Sequence, residues 1–260
     1  MIDIVAGRAR QAARASGFIG LTAAMLPPFL ARMASTGAAE RAAVRDAWVG
    51  RWARALLRLF AVEVVVDGVV PPPTQGRGRG RLVVTNHRSA IDIGVVLSTF
   101  GGTMVSRADL ASWPVIGAAA RAVGTVFVDR SSAKSGAATI RTIQKLLEDG
   151  ETINLFPEGT TFEGDEVRPF HGGAFVSAVR AEAEILPIGI AYPKSSGAAF
   201  FNEKFPQHLA RMARSRGTRM VVAVGTPFIA RRADRATDVT KRAQAEVAAL
   251  VAQARERCGR

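Results

Sequence analysis

In this 260-residue chain, the first residues whose types and spacing could do chemistry are a histidine and an aspartate five positions apart. They lie in His87-Arg88-Ser89-Ala90-Ile91-Asp92. A helix beginning near Ser89 would fold the chain back enough for the Asp92 carboxylate to accept a hydrogen bond from one imidazole nitrogen. The other nitrogen would stay free as an acceptor, as a general base for a hydroxyl requires. The same spacing has a purely structural reading. Ser89-Ala90-Ile91-Asp92 also fits a capping box in which Asp92 reaches back to the Ser89 amide and His87 is an ordinary loop histidine. A second cluster is Phe156-Pro157-Glu158-Gly159-Thr160, where proline fixes the backbone, Glu158 adds a carboxylate and Gly159 allows close approach of a ligand. Its plain alternative is an acidic turn. No serine lies in a G-x-S-x-G elbow, so a serine nucleophile has no support.

These residues need strands to aim them. Short apolar runs at Arg81 to Thr85, Thr103 to Ser106, Val126 to Val128, Thr152 to Phe156, Ile185 to Ile190 and Arg219 to Val224 read as strands. Helical patterns fall near 90–99, 114–123, 133–148, 173–181, 206–215 and 235–256, and the alternating run at 61–70 reads as a further strand. That order predicts an α/β fold with a mainly parallel sheet flanked by helices, whose sites gather at the carboxyl ends of the strands. His87 and Glu158 each directly follow such a strand.

The first sixty residues differ in texture. Between Arg14 and Arg32 lie seventeen uncharged residues, at the lower limit for a membrane span, and Pro27-Pro28 is expected to break the helix near its end. The preferred reading is a segment dipping into one leaflet, with a full span or a helix packed on the domain as the alternatives. The next stretch places Trp48, Trp52, Leu56, Leu59 and Phe60 at helical spacing among Arg41, Arg45, Arg51, Arg54 and Arg58. Such a basic amphipathic helix suits either a membrane interface or packing on a core. The expected division is 1–60 as membrane-associated helices and 61–260 as the catalytic domain.

The blocks together resemble the phospholipid and glycerol acyltransferases, which include the 1-acylglycerol-3-phosphate acyltransferases. Asn86-His87 through Asp92 matches that family's histidine-x4-aspartate signature, and Phe156 to Thr160 matches its phenylalanine-proline-glutamate-glycine-threonine block. Gly124 to Arg130 and the later Ile185-Leu186-Pro187 run resemble two further blocks, so the likeness covers roughly residues 60–230. It implies His87 and Asp92 as catalytic, with Asn86, Arg107, Arg130, Phe156, Pro157, Glu158, Gly159 and Thr160 on the substrate. It also implies acyl-CoA or acyl carrier protein as donor, a lysolipid acceptor, no metal or redox cofactor, and residence at the cytoplasmic face of the cell membrane, monotopic or peripheral. Two departures bear on the acceptor. Thr161 stands where relatives commonly carry arginine, and His171 where a basic residue usually follows, so the chain is also similar to the subgroup that acylates lyso-ornithine lipid.

Composition is consistent with this. The net charge is +13, and only five of the 35 basic residues are lysines, which favours an anionic partner. A nucleic-acid-binding module would leave both motif blocks unexplained, and Gly76-Arg77-Gly78-Arg79-Gly80 lacks the strand and helix of a nucleotide loop. The single cysteine, Cys258, allows no internal disulfide, and the three histidines are too scattered in sequence to suggest a zinc site.

Overall fold

The computed structural model describes residues 2–74, 78–129 and 133–259. Among them one sheet has the order β1-β7-β6-β2-β5-β3-β4, with the two-residue β8 (Phe228–Ile229) on β6. Its members are β1 (Val62–Asp67), β2 (Arg81–Thr85), β3 (Thr103–Arg107), β4 (Val126–Val128), β5 (Thr152–Leu155), β6 (Glu184–Ala191) and β7 (Thr218–Val224). All pairings are parallel except those of β6 with β7 and β8. The central strands are apolar on both faces because both faces are covered by helices. Val83, Leu186, Ile188 and Ile190 point to one side and pack under α2 (Arg41–Leu59), α3 (Asp92–Phe100) and α7 (Phe205–Arg214). Leu82, Val84 and Ile185 point to the other side and pack under α5 (Ala133–Glu148), α6 (Gly173–Arg180) and α8 (Ala236–Cys258). The remaining helices are α1 (Ile2–Ala34) and the short α4 (Ile116–Ala122). Gly189 has a specific reason: a Cβ there would sit 2.2 Å from the Leu250 carbonyl carbon, so its absence lets α8 lie directly on β6.

The expected break at Pro27-Pro28 does not occur, since α1 runs unbroken to Ala34. Proline's fixed φ is compatible with a helix; what it removes is an amide donor. The loss falls close to the helix end, where tertiary contact offsets it: Phe29 is buried against Trp48 of α2, their ring centres 6.2 Å apart. The apolar stripe of α2 packs on the core. Val49, Ala53, Leu56 and Leu57 are buried in it, and Trp52 donates its indole N–H to Thr22 of α1 at 3.1 Å. Arg14 fastens α1 to the body. The residue is 4% exposed, and its guanidinium donates to the carbonyls of Leu59 at 3.0 Å, Ala213 at 3.2 Å and Ser215 at 2.6 Å, so one cation caps the ends of both α2 and α7.

Candidate active site

Because β2, β5 and β3 are parallel, the residues that follow them emerge on one edge of the sheet. β2 runs out at Thr85, and Asn86 immediately locks to the neighbouring strand. Its amide donates to the Ile190 carbonyl at 2.9 Å, and its carbonyl oxygen accepts from the Ile190 N–H at 2.8 Å. His87 is thereby launched from a fixed point. Its Nδ1 lies 2.9 Å from Asp92 Oδ2, and that same oxygen accepts the backbone N–H groups of Arg88 at 2.6 Å and Ser89 at 2.8 Å. The capping and imidazole-orienting readings of Asp92 are therefore not alternatives, since one carboxylate oxygen does both. An ionised Asp92 can only accept, so Nδ1 carries the hydrogen and Nε2 presents a lone pair. Among the described residues Nε2 has no protein partner.

Three further groups hold this pair. The Tyr192 hydroxyl donates to Asp92 Oδ1 at 2.6 Å, and burial together with the adjacent carboxylate pushes its pKa well above the ordinary value, so it remains a donor. Phe156 stacks flat on His87, with ring centres 4.0 Å apart and planes at 13°. Glu158 accepts the His87 N–H at 2.8 Å on Oε2 and the Arg168 N–H at 2.9 Å on Oε1, and burial raises its pKa. Gly159 turns the chain at φ +83°, a conformation that favours glycine.

The sequence-predicted residues thus divide. His87, Asp92, Asn86, Phe156 and Glu158 come together, with Pro157 buried beneath them. The polar atoms of Asn86 and Glu158 are turned to the protein's own backbone, which gives both a positioning geometry. Thr160 and Arg107 are exposed, and Arg107 is paired with Asp109 at 3.0 Å. Arg130 lies outside the described residues. The sequence reading missed Tyr192, although the chain's single tyrosine directly follows β6 and the strand-end argument applied to β2 and β5 reaches it too.

Beside the pair opens a cavity of about 670 Å³ walled by apolar side chains. Phe18 and Leu26 of α1, Trp52 of α2, Leu97 of α3 and Leu209 of α7 contribute, and Ala90 and Ile91 bring the histidine loop to its wall. Such a wall suits a hydrocarbon chain rather than a polar ligand. No group of three or more His, Cys, Asp or Glu side chains with metal-binding potential occurs among the described residues.

Comparison with known proteins adds a family. A family model described as acyltransferase matches residues 64–191. The chain is 29% identical over 201 residues to the lyso-ornithine lipid O-acyltransferase of Pseudomonas aeruginosa, covering 75% of each chain. It is 30% identical over 139 residues to the 1-acyl-sn-glycerol-3-phosphate acyltransferase of Neisseria gonorrhoeae, covering 54% of each, so that match spans about half of the relative's length. In fold it resembles the crystal structure of the 1-acyl-sn-glycerophosphate (LPA) acyltransferase PlsC from Thermotoga maritima, with a TM-score of 0.69 at 17% identity over 96% of this chain and 95% of that one.

Proposed function

We propose that this chain, whose residues 64–191 match a family model described as acyltransferase, moves a fatty acyl group from a thioester to the hydroxyl of a lysophospholipid such as 1-acylglycerol-3-phosphate, in phospholipid biosynthesis. The observation that carries this reading is the His87–Asp92 pair at 2.9 Å, with Nε2 unpartnered among the described residues, on a loop whose Ala90 and Ile91 line an apolar cavity of about 670 Å³. As the acceptor hydroxyl attacks the thioester carbonyl, His87 Nε2 takes its proton. The tetrahedral intermediate then breaks its C–S bond, and the departing thiolate can take that proton back. Asp92 fixes the tautomer and stabilises the imidazolium formed on the way. No covalent enzyme intermediate is required. Asn86, Phe156, Glu158 and Tyr192 hold the pair in place, and acyl-CoA or acyl carrier protein serves as donor. The test is acyl transfer by purified protein from each labelled donor to a panel of lysolipids. Absence of any ester product across donors and acceptors would sink the reading.

One observation favours lyso-ornithine lipid as the alternative acceptor: Thr161, half-buried on the site loop, offers no charge at the position where the family resemblance implies a common arginine. Thr161→Arg is expected to shift the acceptor ratio several-fold toward lysophosphatidic acid by supplying a guanidinium for its phosphate. The ratio of the two products in competition measures it, and an unchanged ratio would take Thr161 out of the specificity argument.

The enzyme works at a membrane surface, at the cytoplasmic face where anionic lipid attracts its basic helices. α1 is long and apolar enough to cross a bilayer, with only 11% of its apolar window buried. It is nonetheless docked along the body from Arg14 to Phe29, which favours a monotopic arrangement over a span. Ile4, Val5, Ile19 and Leu30 are exposed and share one side of the helix. Replacing all four with asparagine is expected to move most of the protein from the membrane pellet to the soluble fraction, leaving the fold intact because these side chains face outward. Retention in the pellet would place the attachment elsewhere. Removing residues 1–60 is the poorer test, since it takes the buried face of α2 out of the core.

A further inference from the structure

A second histidine is buried behind the catalytic loop and takes no part in the chemistry above. His208 of α7 is 0% exposed, enclosed by the rings of Phe200 at 5.5 Å and Phe205 at 6.4 Å. Its Nε2 accepts the backbone N–H of Ala90 at 3.2 Å and lies 3.4 Å from Ser89 Oγ. Its Nδ1 lies 3.3 Å from Glu203 Oε1. A nitrogen that accepts an amide hydrogen is unprotonated, so Nδ1 bears the hydrogen and donates to Glu203. Burial lowers the His208 pKa and keeps this neutral form, outweighing Glu203 and Asp92, which act the other way, while the Arg211 cation adds to the lowering. Glu203 is in turn gripped by Arg211, which also donates to the carbonyls of Gly197 at 2.6 Å and Ala199 at 2.5 Å.

The consequence lies in the turn between His87 and Asp92. Three successive backbone amides there need acceptors. Asp92 Oδ2 takes those of Arg88 and Ser89, and His208 takes the third, that of Ala90. Without the third, the Ala90 amide is left unpaired at the middle of a turn whose remaining side-chain acceptors are the Ser89 hydroxyl, which takes the Ile91 N–H at 3.3 Å, and the carboxylate that must also orient the imidazole. Ala90 and Ile91 line the acyl cavity, and so do Phe205 and Leu209 of α7, so the amide–imidazole bond ties the cavity wall to the catalytic turn. α7 itself is fixed at its far end by Arg14.

We propose that His208 is a positioning residue for acyl transfer, acting as a neutral imidazole that accepts the Ala90 amide and sets the His87–Asp92 turn against the acyl cavity. The inference rests on the reading of His87 as the general base.

Two isosteric changes separate this role from mere filling of space. In His208→Gln the side-chain oxygen can reach the Nε2 position and still accept the Ala90 N–H. In His208→Asn the amide reaches only the Nδ1 position, so it can bond Glu203 but leaves Ala90 unpaired. His208→Met fills the space with only a weak acceptor and serves as a second comparison if the asparagine variant does not fold. Full-length protein in mixed micelles is assayed with acyl-CoA against lysophosphatidic acid and, in parallel, lyso-ornithine lipid, with His87→Ala alongside and thermal unfolding recorded on each preparation. The expected result is kcat down ~10–100-fold in His208→Asn and His208→Met at nearly unchanged KM, the scale of loss caused by a small misplacement of a reacting group. His208→Gln should stay within a few-fold of the parent. Equal kcat in the glutamine and asparagine or methionine variants would overturn the proposal, whether all are active or all are impaired. If His87→Ala is inactive while His208→Asn is fully active, only this inference fails. If His87→Ala keeps its turnover, the base assignment fails and this inference with it.

Discussion

Asp92→Asn is expected to give a folded protein whose turnover falls ~10²–10⁴-fold, the range a positioned general base contributes. The hydrogen bonds explain why folding should survive. Oδ2 accepts from His87 Nδ1 and from the Arg88 and Ser89 amides, while Oδ1 accepts from Tyr192. An asparagine has one oxygen and one NH₂. Turning the oxygen to the backbone amides keeps three of the bonds, and the NH₂ then donates to the Tyr192 hydroxyl, which can accept. The opposite orientation would point N–H groups at two amide donors, so the turn itself selects the amide's orientation and preserves the tautomer of His87. What is lost is the negative charge that stabilises imidazolium as the hydroxyl proton arrives. Weaker bonds to a neutral acceptor are offset by the lower cost of burying an amide in place of a carboxylate, leaving stability within about 2 kcal/mol of the parent. Turnover and thermal unfolding on the same preparation decide the matter, with His87→Ala marking the floor. Near-normal turnover in Asp92→Asn would leave Asp92 a cap and nothing more.

The chemistry of the site is legible in the sequence because it is local, whereas much of the geometry is not. His87 and Asp92 are five residues apart, and the strand ends, expected at Thr85 and Phe156 and found at Thr85 and Leu155, follow from short apolar runs bounded by turn residues. The strands at Arg81–Thr85 and Val126–Val128 and the helix at Ala133–Glu148 lie where the patterns place them. Other features depend on partners distant in sequence. Tyr192 meets Asp92 across 100 positions and His208 meets Ala90 across 118, and no periodicity encodes such pairings. The continuation of α1 through Pro27-Pro28 likewise depends on Phe29 finding Trp48. The antiparallel insertion of β7 beside β6 is also a long-range choice that alternation of strands and helices does not determine. For Asp92 the two readings drawn from its spacing, cap and orienter, competed only because a single oxygen was assumed to have a single role.

Glu158→Gln, the same acid-to-amide change on the neighbouring loop, should fail in a different way. Both carboxylate oxygens of Glu158 accept backbone hydrogens, His87 N–H at 2.8 Å and Arg168 N–H at 2.9 Å, so neither end tolerates a donor. Whichever way the glutamine amide turns, its NH₂ opposes one of those N–H groups, and one of the two loops loses its tie. Leaving a buried donor unpaired costs about 1–3 kcal/mol, which should appear as a lowered unfolding midpoint. Turnover should fall as well, by ~10–100-fold, because the peptide carrying His87 shifts relative to Asp92 and the cavity, and displacement of a reacting group by about 1 Å is enough for losses of that order. The two acid-to-amide variants therefore carry opposite signatures: Asp92→Asn loses rate and keeps stability, whereas Glu158→Gln loses both. A Glu158→Gln protein with unchanged unfolding but lost turnover would instead mean that the carboxylate meets the substrate directly, as the motif resemblance implies. Unchanged unfolding with unchanged turnover would show that the tie between the two strand-end loops is dispensable.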